Sequence, residues 1–218
     1  MPTVAVISEG QADDEFLKKL IAVRRLNNLE VLGPAGEESY GRGGFQVRLE
    51  GLKLKGIEKH KAIVIVADND DDPRSAFRSI QNQIRDAGGY GVPEKPYQVS
   101  GRGEYPPVAV VMLPASGEQG SLDTLCWSAA NEKYALHLKC VGAIAECIGA
   151  DERTWGKVKL AKLKVQCLLS SICKGDPYTP LKCAWWVEPA KGRRGDIFPL
   201  DNPVFNPIAE FLHRIASS

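Results

Sequence analysis

Acidic side chains follow two apolar segments of the chain, and their spacing is suited to binding a divalent cation. The segments span residues 3–7 and 62–67. The acidic residues are Glu9, Asp13, Asp68, Asp70 and Asp72. Carboxylate oxygens are the ligands that Mg²⁺, Mn²⁺ and Ca²⁺ prefer, whereas zinc sites usually include cysteine or histidine. The pattern therefore favours a hard divalent metal over zinc.

Two buried strands are the elements that must position these carboxylates. Both apolar segments are typical of strands that are buried on both faces of a parallel sheet. Ligands of such sheets bind at the carboxyl ends of the strands. In extended backbone, alternate residues such as Asp68 and Asp70 share a face. Two carboxylates ~4 Å apart repel by about 4 kcal/mol at an effective dielectric constant of 20. Neighbouring strands would therefore create a cluster that either keeps protons or binds a metal.

The same residues also have other interpretations. Aspartate is a common turn former after a strand, and an aspartate in the first turn of a helix is ordinary capping. A calcium loop that begins at Asp68 is excluded, because its sixth position is Pro73 and its twelfth is Ser79. Phosphatases of the haloacid type carry an aspartate pair after their first strand, where this chain has Glu9.

Strands and helices alternate along the first part of the chain, which predicts an α/β fold with a mostly parallel sheet flanked by helices. The predicted strands are 3–7, 29–32, 62–67 and 108–113. The predicted helices are 13–26, 45–59, 74–87, 121–130, 134–148, 155–173 and 203–215. Residues 33–44 are predicted to form a loop. We therefore expect an α/β core over residues 1–130 and a helical C-terminal part over 131–218, packed on that core.

Composition excludes some classes of function. The chain has 218 residues, with 28 basic and 27 acidic side chains, which excludes a protein that coats nucleic acid by bulk charge. The longest strongly apolar run is six residues, so no membrane-spanning segment is expected. No secretion signal is visible, which predicts a cytoplasmic protein. The six cysteines lack C-x-x-C spacing and are expected to be reduced, buried thiols.

The order of these motifs resembles the Toprim fold of topoisomerases, primases and overcoming-lysogenization-defect (OLD) nucleases. The first motif, Glu9-Gly10-x-x-Asp13, is most similar to the OLD branch, and the aspartates after 62–67 match its D-x-D pair. Gly120-Ser121-Leu122-Asp123 resembles the later small-residue-x-acid element, with aspartate where glutamate is more usual. Lys164 is the best match to the lysine of the OLD set, and Lys162 is the second.

The resemblance implies a Toprim/Rossmann-like core and two-metal phosphoryl chemistry with Mg²⁺ or Mn²⁺. Its core metal ligands would be Glu9, Asp68 and Asp70, with Asp13, Asp72 and Asp123 as further ligands or their neighbours. Glu9 would also act as general base, and Lys164 would neutralise charge in the transition state. The expected function is phosphodiester hydrolysis of DNA or RNA, as in a small stand-alone relative of the OLD nucleases.

The alternative is a non-catalytic module that binds a metal or a nucleotide, or a subunit that needs an ATPase partner. The chain itself has no Walker A sequence. Residues 151–218 hold 11 basic and seven acidic side chains, whereas residues 1–150 hold 17 and 20. Basic side chains of this second part are candidates for phosphate contacts. They are Lys157, Lys159, Lys162, Lys164, Lys191, Arg193 and Arg194.

Overall fold

Four parallel strands form the centre of the structure. The computed structural model describes residues 2–33, 41–54, 56–101, 103–115, 117–191 and 193–218. The strands are β1 (Thr3–Ser8), β2 (Leu29–Val31), β3 (His60–Asp68) and β4 (Val108–Leu113). They lie in the order β2-β1-β3-β4, and all neighbours are parallel. The predicted α/β class with a parallel sheet is therefore confirmed.

Seven α-helices surround the sheet within the described residues. They are α1 (Gln11–Val23), α2 (Phe45–Leu54), α3 (Pro73–Ala87), α4 (Leu122–Ala129), α5 (Ala135–Cys147), α6 (Lys157–Ile172) and α7 (Asn206–Ser217). A short antiparallel pair, β5 (Val187–Glu188) and β6 (Arg193–Arg194), interrupts the C-terminal part. The sequence analysis did not predict this pair, because strands of two residues leave no periodic pattern.

Both faces of the sheet are covered, which explains the apolar character of its central strands. On one face, Val64 and Val66 of β3 join a cluster of buried side chains with α1, α4, α6 and α7. On the other face, Ile63 and Ile65 pack with α2 and α3. These four β3 side chains are fully buried. Helices of the C-terminal part thus contribute to the same core as the sheet.

The observed bounds of several helices differ from the predicted ones. α2 was predicted to reach residue 59 but ends at Leu54, shortly before Gly56 adopts a left-handed conformation with φ 76°. The final helix begins at Asn206, because residues 203–205 form a 3₁₀ turn. The predicted loop over 33–44 lies partly outside the described residues.

Two further expectations concern membranes and cysteines. In the described ranges, no helix has the length and apolar character needed to cross a membrane. All six cysteines are free thiols, as expected. Cys126, Cys173 and Cys183 are buried, but Cys140 and Cys147 lie exposed on α5, so the expectation that all would be buried was wrong.

Candidate functional site

The carboxyl ends of β1 and β3 lie side by side at the centre of the sheet. β1 pairs with β3 from Val4 to Ser8, and Ser8 lies opposite Val66. The residue after β1, Glu9, accepts a hydrogen bond through Oε2 from the backbone N–H of Asp68 at 3.2 Å. The two acidic motifs therefore meet through Glu9 and Asp68.

The loop after β4 brings a third segment to the same edge. The backbones of Asp70 and Gly120 exchange two hydrogen bonds, at 2.8 and 3.0 Å. Gly120 has φ 142°, and a Cβ there would lie 2.8 Å from Cδ of Pro114, so this turn requires glycine. The backbone N–H of Leu122, in the first turn of α4, donates to Oδ1 of Asp68 at 2.9 Å. The amino end of a helix favours negative charge at this position.

Four carboxylates form what we call the carboxylate cluster. Its members are Glu9, Asp13, Asp68 and Asp123. Burial, together with the charges of Glu9, Asp14 and Asp123, raises the pKa of Asp13 to about 7. Burial and the charges of Asp13 and Glu9 also raise the pKa of Asp68 well above its usual range. The fold thus holds like charges together where water stabilises them poorly.

The structure changes the expected arrangement at Asp70 and gives Asp72 a different role. β3 ends at Asp68, and Asp70 has a left-handed φ of 49°, so the rule of alternating faces does not extend to it. The charge of Asp70 still makes a small contribution to the raised pKa of Asp68. Asp72 is exposed and accepts a hydrogen bond from the backbone N–H of Ser75 at 3.0 Å, which caps α3. No contact in the described part of the chain joins Asp72 to the carboxylate cluster.

Of the two candidate lysines on α6, Lys162 is the one whose charge acts on a carboxylate of the cluster. Burial raises the pKa of Asp123, and the positive charge of Lys162 counteracts that rise. Lys164 instead places its Nζ over the ring of Trp127, 5.2 Å from the centroid. Residues two apart on a helix point in directions about 200° apart, so α6 can present only one of them to Asp123. The geometry favours Lys162 over the sequence-based first choice.

Several buried polar groups around the cluster were missed by the sequence analysis. Asp14 is buried, and the Ser8 hydroxyl donates to its Oδ1 at 2.5 Å. Buried Arg48 of α2 donates to the backbone carbonyls of Ser8 and Leu32, which ties α2 to the carboxyl end of β1. The only sequence pattern that could have indicated Asp14 is its place beside Asp13 in the first turn of α1. Arg48 had no comparable pattern.

Cys126 lies on α4 one turn after Asp123 and was interpreted only as a core cysteine. Burial raises the pKa of its thiol well above the usual range, and the charges of Asp123, Asp13 and Asp68 add to that effect. The thiol is therefore held protonated beneath the carboxylate cluster. Such a group fills space and adds no further negative charge.

The ligand atoms that the cluster offers are of the chemical type that a hard divalent cation prefers. All four side chains offer carboxylate oxygens, and burial together with neighbouring negative charge already disfavours ionisation of Asp13 and Asp68 without a cation. Gly10 leaves room for this arrangement, because a Cβ there would lie 3.1 Å from Oδ2 of Asp13. Among the described residues, however, no three Asp, Glu, His or Cys side chains are already arranged to hold a metal ion. Metal binding would therefore need the carboxylates to move.

The basic loop of the C-terminal part is engaged elsewhere. Arg193 is buried and forms ion pairs with Asp176 and Glu188. Lys191 pairs with the same Glu188 at 2.8 Å. These two side chains stabilise the β5-β6 pair and do not form the phosphate-binding patch considered from the sequence. Exposed Lys159 and Lys162 on α6 and exposed Arg194 of β6 remain candidates, as do half-buried Lys157 and Lys164.

Comparisons with known proteins give a family but no characterised relative. A search of curated proteins found no match, and a search of solved structures found none either. A family comparison matches residues 4–217 to the family described as protein of unknown function, DUF3226. Because that match covers nearly all of the chain, including the carboxylate cluster and the seven described helices, the chain belongs to the DUF3226 family.

Proposed function

We propose that the protein hydrolyses phosphodiester bonds of nucleic acid with Mg²⁺ or Mn²⁺ bound at the carboxylate cluster. The observation that carries the proposal is the meeting of Glu9 and Asp68 at the ends of adjacent parallel strands, with Asp13 and Asp123 beside them. Parallel α/β sheets bind ligands at this edge. A hard cation would offset the repulsion between these carboxylates, which water screens poorly because the side chains are buried.

Each residue has a proposed role in that reaction. Glu9, Asp13, Asp68 and Asp123 would hold the metal, which supplies activation of a water and stabilisation of the leaving oxygen. The Glu9 carboxylate is also the candidate general base. Lys162, rather than Lys164, would place a positive charge near the scissile phosphate. Asp70 remains a candidate ligand through its electrostatic contact with Asp68.

A non-catalytic metal-binding or nucleotide-binding module is the second candidate, including a subunit that acts with an ATPase partner. One observation favours it. Among the described residues, no group of three side chains is already arranged for a metal. A catalytic site with two metal ions needs more converging ligands than a module that binds one ion or a nucleotide. The two candidates therefore differ in whether bound metal leads to cleavage.

A direct assay separates the two candidates. The whole chain is incubated with supercoiled plasmid or single-stranded DNA or RNA, in Mn²⁺, Mg²⁺ or EDTA. We expect cleavage with metal and none with EDTA. A rise in melting temperature with Mn²⁺ but no cleavage would favour the binding module, because a ligand that binds only the folded state stabilises it. The absence of both cleavage and a thermal shift with Mn²⁺ would contradict metal-dependent cleavage and a metal-binding module alike.

The two lysines of α6 give a matched pair of variants. Lys162→Met removes the charge that acts on Asp123, and we expect the cleavage rate to fall about 10- to 100-fold. Lys164→Met removes a cation–π contact with Trp127, which is worth about 0.5–1 kcal/mol at an exposed site. Its cleavage rate should stay close to that of the wild type. If Lys164→Met caused the larger loss, the assignment based on the resemblance would be restored.

A further inference from the structure

Helix α5 carries an exposed apolar seam with the spacing of a coiled coil. The seam consists of Leu136, Cys140, Ala143 and Cys147, separated by four, three and four residues. All four are exposed, and Leu136 exposes 71% of its surface. The opposite side of α5, including Val141 and Ala145, is buried in the protein. A spacing that alternates between three and four residues places side chains along one line that faces a partner helix.

Charged residues flank the seam in a self-complementary order. Lys139 and Glu146 are exposed and lie seven residues apart, on the same edge of the seam. The other edge carries Ile144, which is 47% exposed. Among the described residues, neither Lys139 nor Glu146 takes part in an ion pair within the chain, so both are available to a partner.

We propose that α5 pairs with α5 of a second copy of this chain, in antiparallel orientation about a two-fold axis. In that arrangement Leu136 faces the partner's Cys147, and Cys140 faces the partner's Ala143. Lys139 then lies opposite the partner's Glu146. The two-fold symmetry gives two such ion pairs in the dimer. A parallel pairing would instead place each Lys139 beside the partner's Ile144. The order of Lys139 and Glu146 along α5 therefore favours pairing with a second copy of this chain, and it favours the antiparallel orientation of the two helices.

Small side chains suit the centre of this pairing. Cys140 and Ala143 allow the two helix axes to approach at the short end of the usual 8–10 Å range. The helix has 13 residues and is about 20 Å long. We expect a small interface and hence a weak, concentration-dependent dimer.

A charge-exchange series measured by sedimentation tests the pairing. The whole chain is studied under reducing conditions from about 1 to about 200 µM. The wild type should form dimers in this range. Lys139→Glu and Glu146→Lys should each weaken dimerisation about tenfold, because each turns two attractive pairs into repulsive ones. The double variant, Lys139→Glu with Glu146→Lys, should restore the wild-type affinity.

Two further variants check the seam itself. Ala143→Glu puts a charge at the centre of the seam, and its exposed position makes loss of folding unexpected, so the dimer should be lost while circular dichroism is unchanged. Lys159→Glu, at an exposed position of α6, is the matched control and should leave the dimer intact. A wild type that stays monomeric throughout the range would overturn the proposal. A dimer that the double variant does not restore, or that survives Ala143→Glu, would show that another surface pairs.

Discussion

The Asp68→Asn variant is expected to lose metal-dependent cleavage by about 100-fold or more. Asp68 is the carboxylate that joins the elements of the site, since its backbone N–H donates to Glu9 and its Oδ1 accepts from Leu122. Asparagine keeps both hydrogen bonds, because its amide oxygen still accepts. It removes the negative charge that would hold the metal. Losses of this size follow when one charged or polar group of a catalytic site is removed.

The same variant is expected to fold at least as well as the wild type, which makes the result interpretable. Burial and neighbouring carboxylates disfavour the charge on Asp68 in the metal-free protein, and its pKa is raised accordingly. A neutral amide avoids that penalty. Activity and stability should therefore change in opposite directions. Plasmid nicking in Mn²⁺ measures the first, and urea unfolding in EDTA measures the second.

Asp86→Asn is the control for this experiment. Asp86 is exposed near the end of α3, away from the carboxyl ends of the strands. The same chemical change there should leave cleavage within about twofold of the wild type, because surface substitutions rarely change stability by more than about 0.5 kcal/mol. Equal loss of cleavage in both variants would contradict the proposed role of Asp68.

The Asp13→Asn variant is expected to stabilise the metal-free protein strongly above neutral pH. The pKa of Asp13 is about 7 in the folded protein, against a usual value of 3.8. Between these values the unfolded chain ionises while the folded protein keeps its proton, so rising pH destabilises the wild type. This loss of folding stability is complete above pH 7, and it lowers the free energy of unfolding of the wild type by an amount of the order of 4 kcal/mol. Below pH 3.8 both states are protonated, and this effect vanishes.

Urea unfolding in EDTA at about pH 5 and about pH 8 measures this effect. The stability advantage of Asp13→Asn should grow between the two pH values. Asp72→Asn is the matched control, because Asp72 is exposed, and asparagine caps a helix as well as aspartate does. Its stability should stay close to that of the wild type in both measurements. An equal advantage of Asp13→Asn at both pH values would contradict a raised pKa at this position.

Metal should reduce the stability advantage of Asp13→Asn over the wild type. A cation bound at the carboxylate cluster stabilises the ionised wild type in proportion to the logarithm of its concentration. Asp13→Asn offers a weaker site, so added Mn²⁺ should narrow the difference between the two proteins at about pH 8. If Mn²⁺ stabilised both proteins equally, Asp13 would not be a ligand.

Sequence patterns predicted the sheet well because its strands are buried on both faces. The segments 62–67 and 108–113 are apolar throughout, and a segment of that kind is stable only when covered on both sides. Parallel neighbours then place their carboxyl ends at one edge, which brought Glu9 and Asp68 together as expected. These inferences needed only the period of the pattern and the direction of the chain.

Local backbone conformation and helix rotation decided details of the site that sequence spacing does not determine. Asp70 was expected to share a face with Asp68, but its left-handed backbone breaks the alternation. Lys164 was preferred to Lys162, although α6 packs so that Lys162 acts on Asp123 while Lys164 covers Trp127. Sequence spacing states which residues share a helix face, but not which face turns toward the site.

The sequence by itself determined an α/β chain with a parallel sheet and with carboxylates at the ends of two central strands, because hydrophobic burial and chain direction impose both. Only the tertiary structure decided which acids meet, that Asp72 caps a helix instead, and that Arg48 and Cys126 lie around the site. Those outcomes arise from contacts between elements distant in sequence. Burial and electrostatic repulsion then depend on the packed distances between side chains, and no sequence pattern contains those distances.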